Sequence, residues 1–396
     1  MKQFDVILTC NYSPWSRYSG GGQKSTHQIA TALANKGLSI CVVYSKSPWE
    51  QVATPKDLPY SIKWAFFFAL RPCISSPLRF LNGISFYVTV RKICGAHTIV
   101  HSNGDEGGLL GFLPEKKKFI YTNRYPNFDS FLFHTDWKRA INWIRVFMRE
   151  PRFAVMALAI RKADAVTCTS AFSLSQVKKC FGTAVKNLRE IKNGIDPFFL
   201  GGTYTYKNQK GLLYFGRLTH AKGIDVLLRA FCQLPAQLRK DQSVRIIGEG
   251  PYRKPLESLV SELGLDGQVL FEGWLDRREL VERILSHRVT VLPSREESFG
   301  NTMLEVLGLG APLITTTAGS IPEITGPWGH KVPPDNVDQL SAAIRDELEN
   351  IPSRERISQQ ISFVKSLYSW ENAAEQFMEL YTEGNAQKPQ AVKNRV

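Results

Sequence analysis

The sequence predicts an α/β fold made of two doubly wound parallel-sheet units, and three observations lead there. Short apolar runs alternate with helical stretches along both halves of the chain, the pattern of parallel strands joined by crossover helices. At 396 residues the chain exceeds what one hydrophobic core usually covers. Its 43% hydrophobic and 22% charged residues are those of an ordinary globular protein.

The elements follow in order. Phe4-Asp-Val-Ile-Leu-Thr9 reads as a strand, and the loop with Gly20-Gly-Gly22 leads into a helix through Ile29, Ala32 and Leu33. Gly37 ends that helix, and Leu38 to Tyr44 is the next strand. Further strands are expected at 98–101, 119–122 and 165–168, and the second half repeats the scheme at 211–215, 244–247, 269–271, 289–292 and 312–315. Two Rossmann-like units facing each other across a cleft is the simplest arrangement. The boundary is expected after Asn193-Gly-Ile-Asp196, near the turn-rich polar stretch from Gly201 to Lys207. This gives an amino-terminal domain of residues 1–200 and a second domain of 201–368. A closing helix follows over 369–384, with Ser369 as N-cap, and then a disordered tail over 385–396.

Composition excludes several classes. The seven cysteines show no Cys-x-x-Cys spacing, which argues against a zinc site or disulfide framework and for a reducing, cytoplasmic compartment. Asp5 interrupts the first apolar run, so that run reads as a strand and not as a signal peptide. No apolar stretch approaches the ~20 residues that cross a bilayer. The net charge of +14 is uneven: residues 1–200 hold 27 Lys+Arg against 12 Asp+Glu, net +15, and residues 201–396 hold 23 against 24, net −1. Such a basic half suits an anionic membrane surface or an acidic acceptor, and no nucleic-acid-binding motif accompanies it. The stretch from Asp136 to Arg149 is basic and amphipathic, with Trp137, Ile141, Ile144 and Met148 at helical spacing. It reads either as a helix packed on its own sheet or as one lying in a membrane interface, peripheral on the inner face.

The most informative motif is Pro293-Ser-Arg-Glu-Glu-Ser-Phe-Gly-Asn-Thr-Met-Leu-Glu305, which sets Glu297 and Glu305 eight positions apart across a strand-to-helix junction. Glu297 falls on the loop and Glu305 inside the helix. A helix start offers unpaired N–H groups and a positive dipole end to a phosphate, while the carboxylates suit sugar hydroxyls. A sugar nucleotide is the implied ligand. Glu296 adjoins Glu297, and the spacing to Glu305 selects Glu297. Upstream lie Tyr214-Phe-Gly-Arg-Leu-Thr-His-Ala-Lys-Gly-Ile-Asp225, Ile247-Gly-Glu-Gly-Pro251 and Phe271-Glu-Gly-Trp274, and downstream Gly319-Ser-Ile-Pro-Glu323.

This order and spacing resemble the retaining glycosyltransferases of the GT-B fold, the large family-four type also called glycosyl transferases group 1, most densely over residues 190–325. The resemblance implies a metal-independent hexosyltransferase that moves a sugar from a UDP- or GDP-linked donor to a glycan or lipid-linked acceptor, in cell-surface polysaccharide or glycolipid synthesis. It implies no cofactor besides that donor, acceptor binding by the domain of residues 1–200, nucleotide-sugar binding by that of 201–368, and a closing helix over 369–384 that crosses back to the first domain. Arg217 and Lys222, in the Gly-Arg-Leu-x3-Lys-Gly context, would stabilise the charge that develops on the leaving diphosphate. Glu305 would hold the ribose hydroxyls and Glu297 a hydroxyl of the donor sugar, with backbone groups of Phe299, Gly300 and Asn301 completing the cradle. Gly216, Gly248, Gly250 and Gly273 would let backbone pass close to the nucleotide, and Gly21 and Gly22 would bring N–H groups from the first half. His101 ends an apolar strand, where open α/β sheets place ligand contacts. Relatives carry Thr-x-His on the fifth strand, whereas this chain has Thr122-Asn-Arg124, so that role is vacant or moved to Arg124 or His101. No Asp-x-Asp-type metal motif occurs. A sugar-nucleotide epimerase of related architecture and a non-catalytic nucleotide-sugar-binding protein are the alternatives; the presence of Arg217, Lys222, Glu297 and Glu305 together favours the transferase.

Overall fold

The computed structural model describes residues 3–16, 19–47, 49–66, 79–114, 117–124, 151–206, 209–350 and 353–383. These gather into two compact units. The first holds the chain up to Thr169, Ser173–Gly194 and the segment from Trp370; the second holds Ser170–Phe172 and Ile195–Ser369. The amphipathic stretch 136–149 and the tail 385–396 lie outside the described residues.

The first unit is built on a seven-stranded parallel sheet: β1 Val6–Cys10, β2 Ile40–Lys46, β3 Ser61–Phe66, β4 Ile99–Ser102, β5 Phe119–Asn123, β6 Ala165–Cys168 and β7 Leu188–Glu190. Their spatial order is β3-β2-β1-β4-β5-β6-β7, with Val6 beside both Ile40 and Ile99. Order reverses at β1/β4, the arrangement of the doubly wound fold. Because successive strand residues face opposite sides, the pleat sorts the core into two layers. Val6, Leu8, Val42, Tyr44 and Ile120 pack with Ile29 and Leu33 of the Gly21–Asn35 helix on one face. Ile7, Cys41, Val43, Val100 and Tyr121 pack with Ala157 and Ile160 of the Pro151–Lys162 helix on the other.

The first of these layers is completed from the far end of the chain. The Trp370–Thr382 helix lays Trp370, Phe377, Leu380 and Tyr381 into it. Removing each such side chain from water stabilises by roughly 1.5–3 kcal/mol. Lys118 adds a polar tie, since its ammonium donates to the carbonyls of Leu380, Tyr381 and Glu383 at 2.5, 3.2 and 2.5 Å.

The second unit carries a six-stranded parallel sheet: β8 Lys210–Phe215, β9 Val244–Ile247, β10 Val269–Gly273, β11 His287–Leu292, β12 Leu313–Thr316 and β13 His330–Val332. Its order, β10-β9-β8-β11-β12-β13, repeats the first unit's scheme and reverses at β8/β11. Every strand expected from the sequence is present. β3, β7 and β13 add to them, and each lies next to or at a sheet edge, where a buried apolar run is not required; β7 and β13 are only three residues long. No helix among the described residues is long and apolar enough to cross a membrane.

Candidate functional site

In an open α/β sheet, ligand contacts collect at the carboxyl ends of the strands where the order reverses. In the second unit that point is β8/β11, and the loops leaving these two strands carry Arg217, Lys222 and Glu297. After β8, Gly216 and Arg217 lead to a short 3-10 turn, His220–Lys222, and Gly223 then opens the Ile224–Cys232 helix. Gly223 has φ +65°, and a Cβ there would run into the Pro293 carbonyl. Only glycine lets the turn that bears Lys222 lie directly against the end of β11.

The result is a direct contact between the two loops. The Lys222 ammonium donates to Glu297 Oε1, which also accepts from Ser294 Oγ at 3.4 Å. The Glu297 carbonyl takes hydrogen bonds from the Ser320 N–H and hydroxyl, both at 3.2 Å, so the motif after β12 fixes the loop after β11. Glu297 is half-buried and Glu296 exposed.

Arg295, which the sequence did not single out, clamps the same two loops. Its guanidinium binds both oxygens of Asp225 at 2.9 and 2.7 Å, Asp335 at 2.6 Å and the His220 carbonyl at 2.5 Å. Its own N–H donates to the Ala221 carbonyl at 2.8 Å. Burial raises the Asp225 carboxyl's pKa, but the Arg295 hydrogen bonds outweigh it and hold the group below its usual value, while Arg295 itself is pushed up. Arg217 is the contrast. It is exposed, and among the described residues its guanidinium forms no ion pair. Its carbonyl is held by Tyr214 Oη at 3.2 Å, and burial, then the Glu297 charge, raises the Tyr214 phenol's pKa.

The glycine-bearing loops stack side by side. Gly248 has φ +132° and lies so close to the Gly216 carbonyl that a Cβ would overlap it. Gly250 is packed likewise on the Leu218 carbonyl, and Gly248 donates to the Gly273 carbonyl at 2.6 Å. The ends of β8, β9 and β10 thereby form one continuous backbone surface. On the other side, Gly300 caps the Asn301–Gly308 helix, whose Met303, Leu304, Val306 and Leu307 are buried while Glu305 is half-buried. Phe299 is itself buried, its ring edge-on to Tyr368 at 6.0 Å, so this residue can offer a ligand only its backbone.

In the first unit the Gly21–Asn35 helix begins at the glycine run as expected, with Gly20 at the N-cap. Gln23 closes that turn, accepting from the Gly20 N–H at 3.0 Å and donating to the Asn11 carbonyl at 2.7 Å. Gly22 faces Arg124: a Cβ there would lie 3.6 Å from Arg124 Cδ. His101 is placed differently from a ligand contact. It is 0% exposed, Nδ1 meets Tyr381 Oη at 2.7 Å, and Nε2 meets Thr122 Oγ1 at 2.7 Å. Burial, then the Arg124 charge, lowers its pKa to about 3. Both ring nitrogens are engaged inside the core, which joins the end helix to β4 and β5. Among the described residues no group of three His, Cys, Asp or Glu side chains is placed to hold a metal ion.

Two doubly wound units of this strand order define the GT-B class of folds, and comparison with known proteins names the family. Residues 19–198 match Glycosyltransferase Family 4 and residues 203–362 match Glycosyl transferases group 1; the chain belongs to this glycosyltransferase family. It is 30% identical over 226 residues to an uncharacterized glycosyltransferase of Methanocaldococcus jannaschii, covering 52% of this chain and 56% of that protein. It is 28% identical over 254 residues to the glycogen synthase of Mycobacterium tuberculosis, covering 62% of this chain and 61% of that one. The chain thus spans less than two thirds of the length of these curated relatives. Among solved structures, HepE of Anabaena in complex with UDP and glucose superposes with a TM-score of 0.70 at 18% identity, covering 96% of this chain and 100% of that one, a likeness of fold.

Proposed function

We propose that the protein transfers a sugar from a UDP- or GDP-linked donor to a glycan or lipid-linked acceptor, with retention of anomeric configuration. The observation that carries this reading is the Lys222–Glu297 pair at the β8/β11 switch point, with the exposed Arg217 on the same loop as Lys222. A HepE structure of the same fold holds UDP and glucose, which supports a nucleotide-sugar donor.

Cleaving a sugar–diphosphate bond leaves negative charge on the terminal phosphate, and cations fixed beforehand lower the energy of that state. In this reading Arg217 and Lys222 bind the diphosphate, the start of the Asn301–Gly308 helix adds its dipole, and Glu305 accepts from the ribose hydroxyls. When the diphosphate takes over the Lys222 ammonium, the Glu297 carboxylate is released to accept from the donor sugar. The leaving phosphate itself helps deprotonate the acceptor hydroxyl on the same face, which accounts for retention without a covalent nucleophile. No divalent ion and no cofactor enter the scheme. The basic amino-terminal half suits an anionic membrane carrying a lipid-linked acceptor, in polysaccharide or glycolipid synthesis.

Thermal stabilisation by UDP, GDP and ADP, measured side by side, tests the donor, because a ligand of the native state raises its stability with affinity. NMR of the sugar nucleotide of the preferred base, with and without methyl glycosides, then follows the anomeric and C2 signals. Transfer with the donor's anomeric configuration is the expected result. Inversion, C2 epimerisation in donor alone, or no stabilisation by any nucleotide would overturn the reading.

A further inference from the structure

The second unit includes three residues from outside its main stretch of chain, Ser170–Phe172, and none of the roles assigned above uses them. They stand at the start of the Ala171–Phe181 helix, whose first turn carries no acidic side chain. The cap comes from Glu323, 151 residues beyond Phe172 in the chain. Its Oε1 accepts from the Ala171 N–H at 3.1 Å and its Oε2 from the Phe172 N–H at 3.2 Å. Both oxygens of one carboxylate thus pair N–H groups that a helix leaves open at its start. Ser170, just before the helix and 0% exposed, donates its hydroxyl to the Ser298 carbonyl at 2.8 Å.

Ser298 directly follows Glu297, so two successive carbonyls of the site loop are each held by a buried serine: that of Glu297 by Ser320 and that of Ser298 by Ser170. Gly319 brings the first holder in. It has φ +57°, and a Cβ there would run into the Glu297 carbonyl. Glu323 bears on both holders, since it shares the short Ile321–Thr325 helix with the residues straight after Ser320 and caps the residues straight after Ser170. The hydrogen bonds close a ring from the loop through Ser320, Glu323, Ala171 and Ser170 back to the loop. Each held carbonyl fixes the plane of its own peptide, so the backbone from Glu297 to Phe299 has little freedom to turn. The Glu297 carboxylate is then presented to Lys222 from a fixed direction.

We propose that Glu323 is a positioning residue for the transfer reaction: by capping Ala171 and Phe172 it sets Ser170 on the Ser298 carbonyl, and together with Ser320 this aims Glu297. The bracing is measurable without any substrate. Its effect on turnover rests on the transferase reading above.

The test compares Glu323→Ala, Glu323→Gln, Ser170→Ala and the double variant Ser170→Ala/Glu323→Ala with the wild-type chain. Hydrogen exchange of the Ser320 N–H, whose acceptor is the Glu297 carbonyl, reads the brace. Calorimetry gives the Kd for UDP and GDP, and release of nucleoside diphosphate from UDP-glucose and GDP-mannose with methyl glycosides gives kcat. In Glu323→Ala and Ser170→Ala the Ser320 N–H should exchange about tenfold faster and kcat should fall about tenfold, while the Kd stays within about twofold. Glu323→Gln keeps one of the two accepting oxygens and should lose less. The double variant should lose less than the product of the single losses, because both residues act through one loop. Unchanged exchange, a kcat within about twofold of wild type in both single variants, or losses that multiply would each remove the assignment. If Glu323→Ala does not melt cooperatively, Ser170→Ala and Glu323→Gln decide by the same readings. A wild-type chain that binds neither nucleotide and cleaves neither donor sinks the transferase reading, and exchange at Ser320 still decides the brace.

Discussion

Lys222 and Glu297, 75 residues apart in the chain, meet as an ion pair where β8 and β11 end. A turn that follows one strand and a loop that follows another are joined there by the two side chains to which the donor roles are proposed. The site is therefore braced before any ligand arrives.

Removing the cations should separate catalysis from bracing. Arg217→Ala and Lys222→Ala should each lower kcat/KM by about 10²-fold, the usual loss of one stabiliser of developing charge. Arg217 is exposed, so its loss should leave the melting temperature unchanged. Lys222→Ala strands a Glu297 side chain that is only 12% exposed and should also cost about 1 kcal/mol in urea denaturation. Near-normal turnover in both variants would refute the assignment.

The two glutamates should fail differently. Glu305→Gln should chiefly raise the Kd for the nucleoside diphosphate, measured by calorimetry. Glu297→Gln should leave that Kd within a few-fold and lower kcat. Equal small effects on both would reduce them to ordinary capping and bracing groups.

Chelation should leave turnover in place. Arg217, Lys222 and the helix start supply the positive charge in the proposed scheme, so EDTA treatment should change the rate little. Abolition by EDTA with recovery on adding Mg²⁺ or Mn²⁺ would contradict it.

The Arg295 clamp should show a graded cost. Asp225 and Arg295 are 18% and 14% exposed, so Asp225→Asn should destabilise by roughly 3 kcal/mol, as breaking a largely buried bidentate pair does. Asp335 is 60% exposed, and Asp335→Asn should cost under about 1 kcal/mol. Chemical denaturation of the two variants distinguishes the partners, and equal costs would mean that the clamp does not depend on burial.

Glu106 should make stability pH-dependent. Burial, then Asp105, raises its pKa from 4.5 to about 7 in the folded chain. The folded state then holds the proton more tightly than the unfolded one, so this residue's contribution is fully present below pH 4.5 and is lost as pH rises through 7. The loss is at most about 3 kcal/mol. Glu106→Gln has no proton to lose, so the stability difference between wild type and variant should change in this window. A constant difference from pH 4.5 to 8 would rule the linkage out.

Much of this was legible in the sequence. Strands β1, β2 and β8 and the Val289–Leu292 part of β11 are largely apolar runs because both faces of a parallel sheet are covered, and such runs stand out. The glutamate spacing across Ser298-Phe-Gly300 correctly separated a loop residue from a helix residue because the glycine fixes where the helix begins. What the sequence hid were partnerships. His101 looked like a strand-end ligand because Tyr381, which takes its Nδ1, is 280 residues away. Asp105 and Glu106 drew no reading from the sequence, although their place straight after a strand of an open sheet was an available signal. Arg295 stood beside two glutamates and was not singled out, since nothing local announces Asp225 and Asp335.

The helix Trp370–Thr382 has a consequence for synthesis. The ribosome delivers β1 well before this helix, with the whole second unit in between. Until Trp370, Phe377 and Tyr381 emerge, the layer over Ile29 and Leu33 remains incomplete and His101 lacks one of its two anchors. The unit that holds β1 is thus completed only after the second unit has emerged, and during elongation it presents the kind of incomplete apolar surface on which chaperones act.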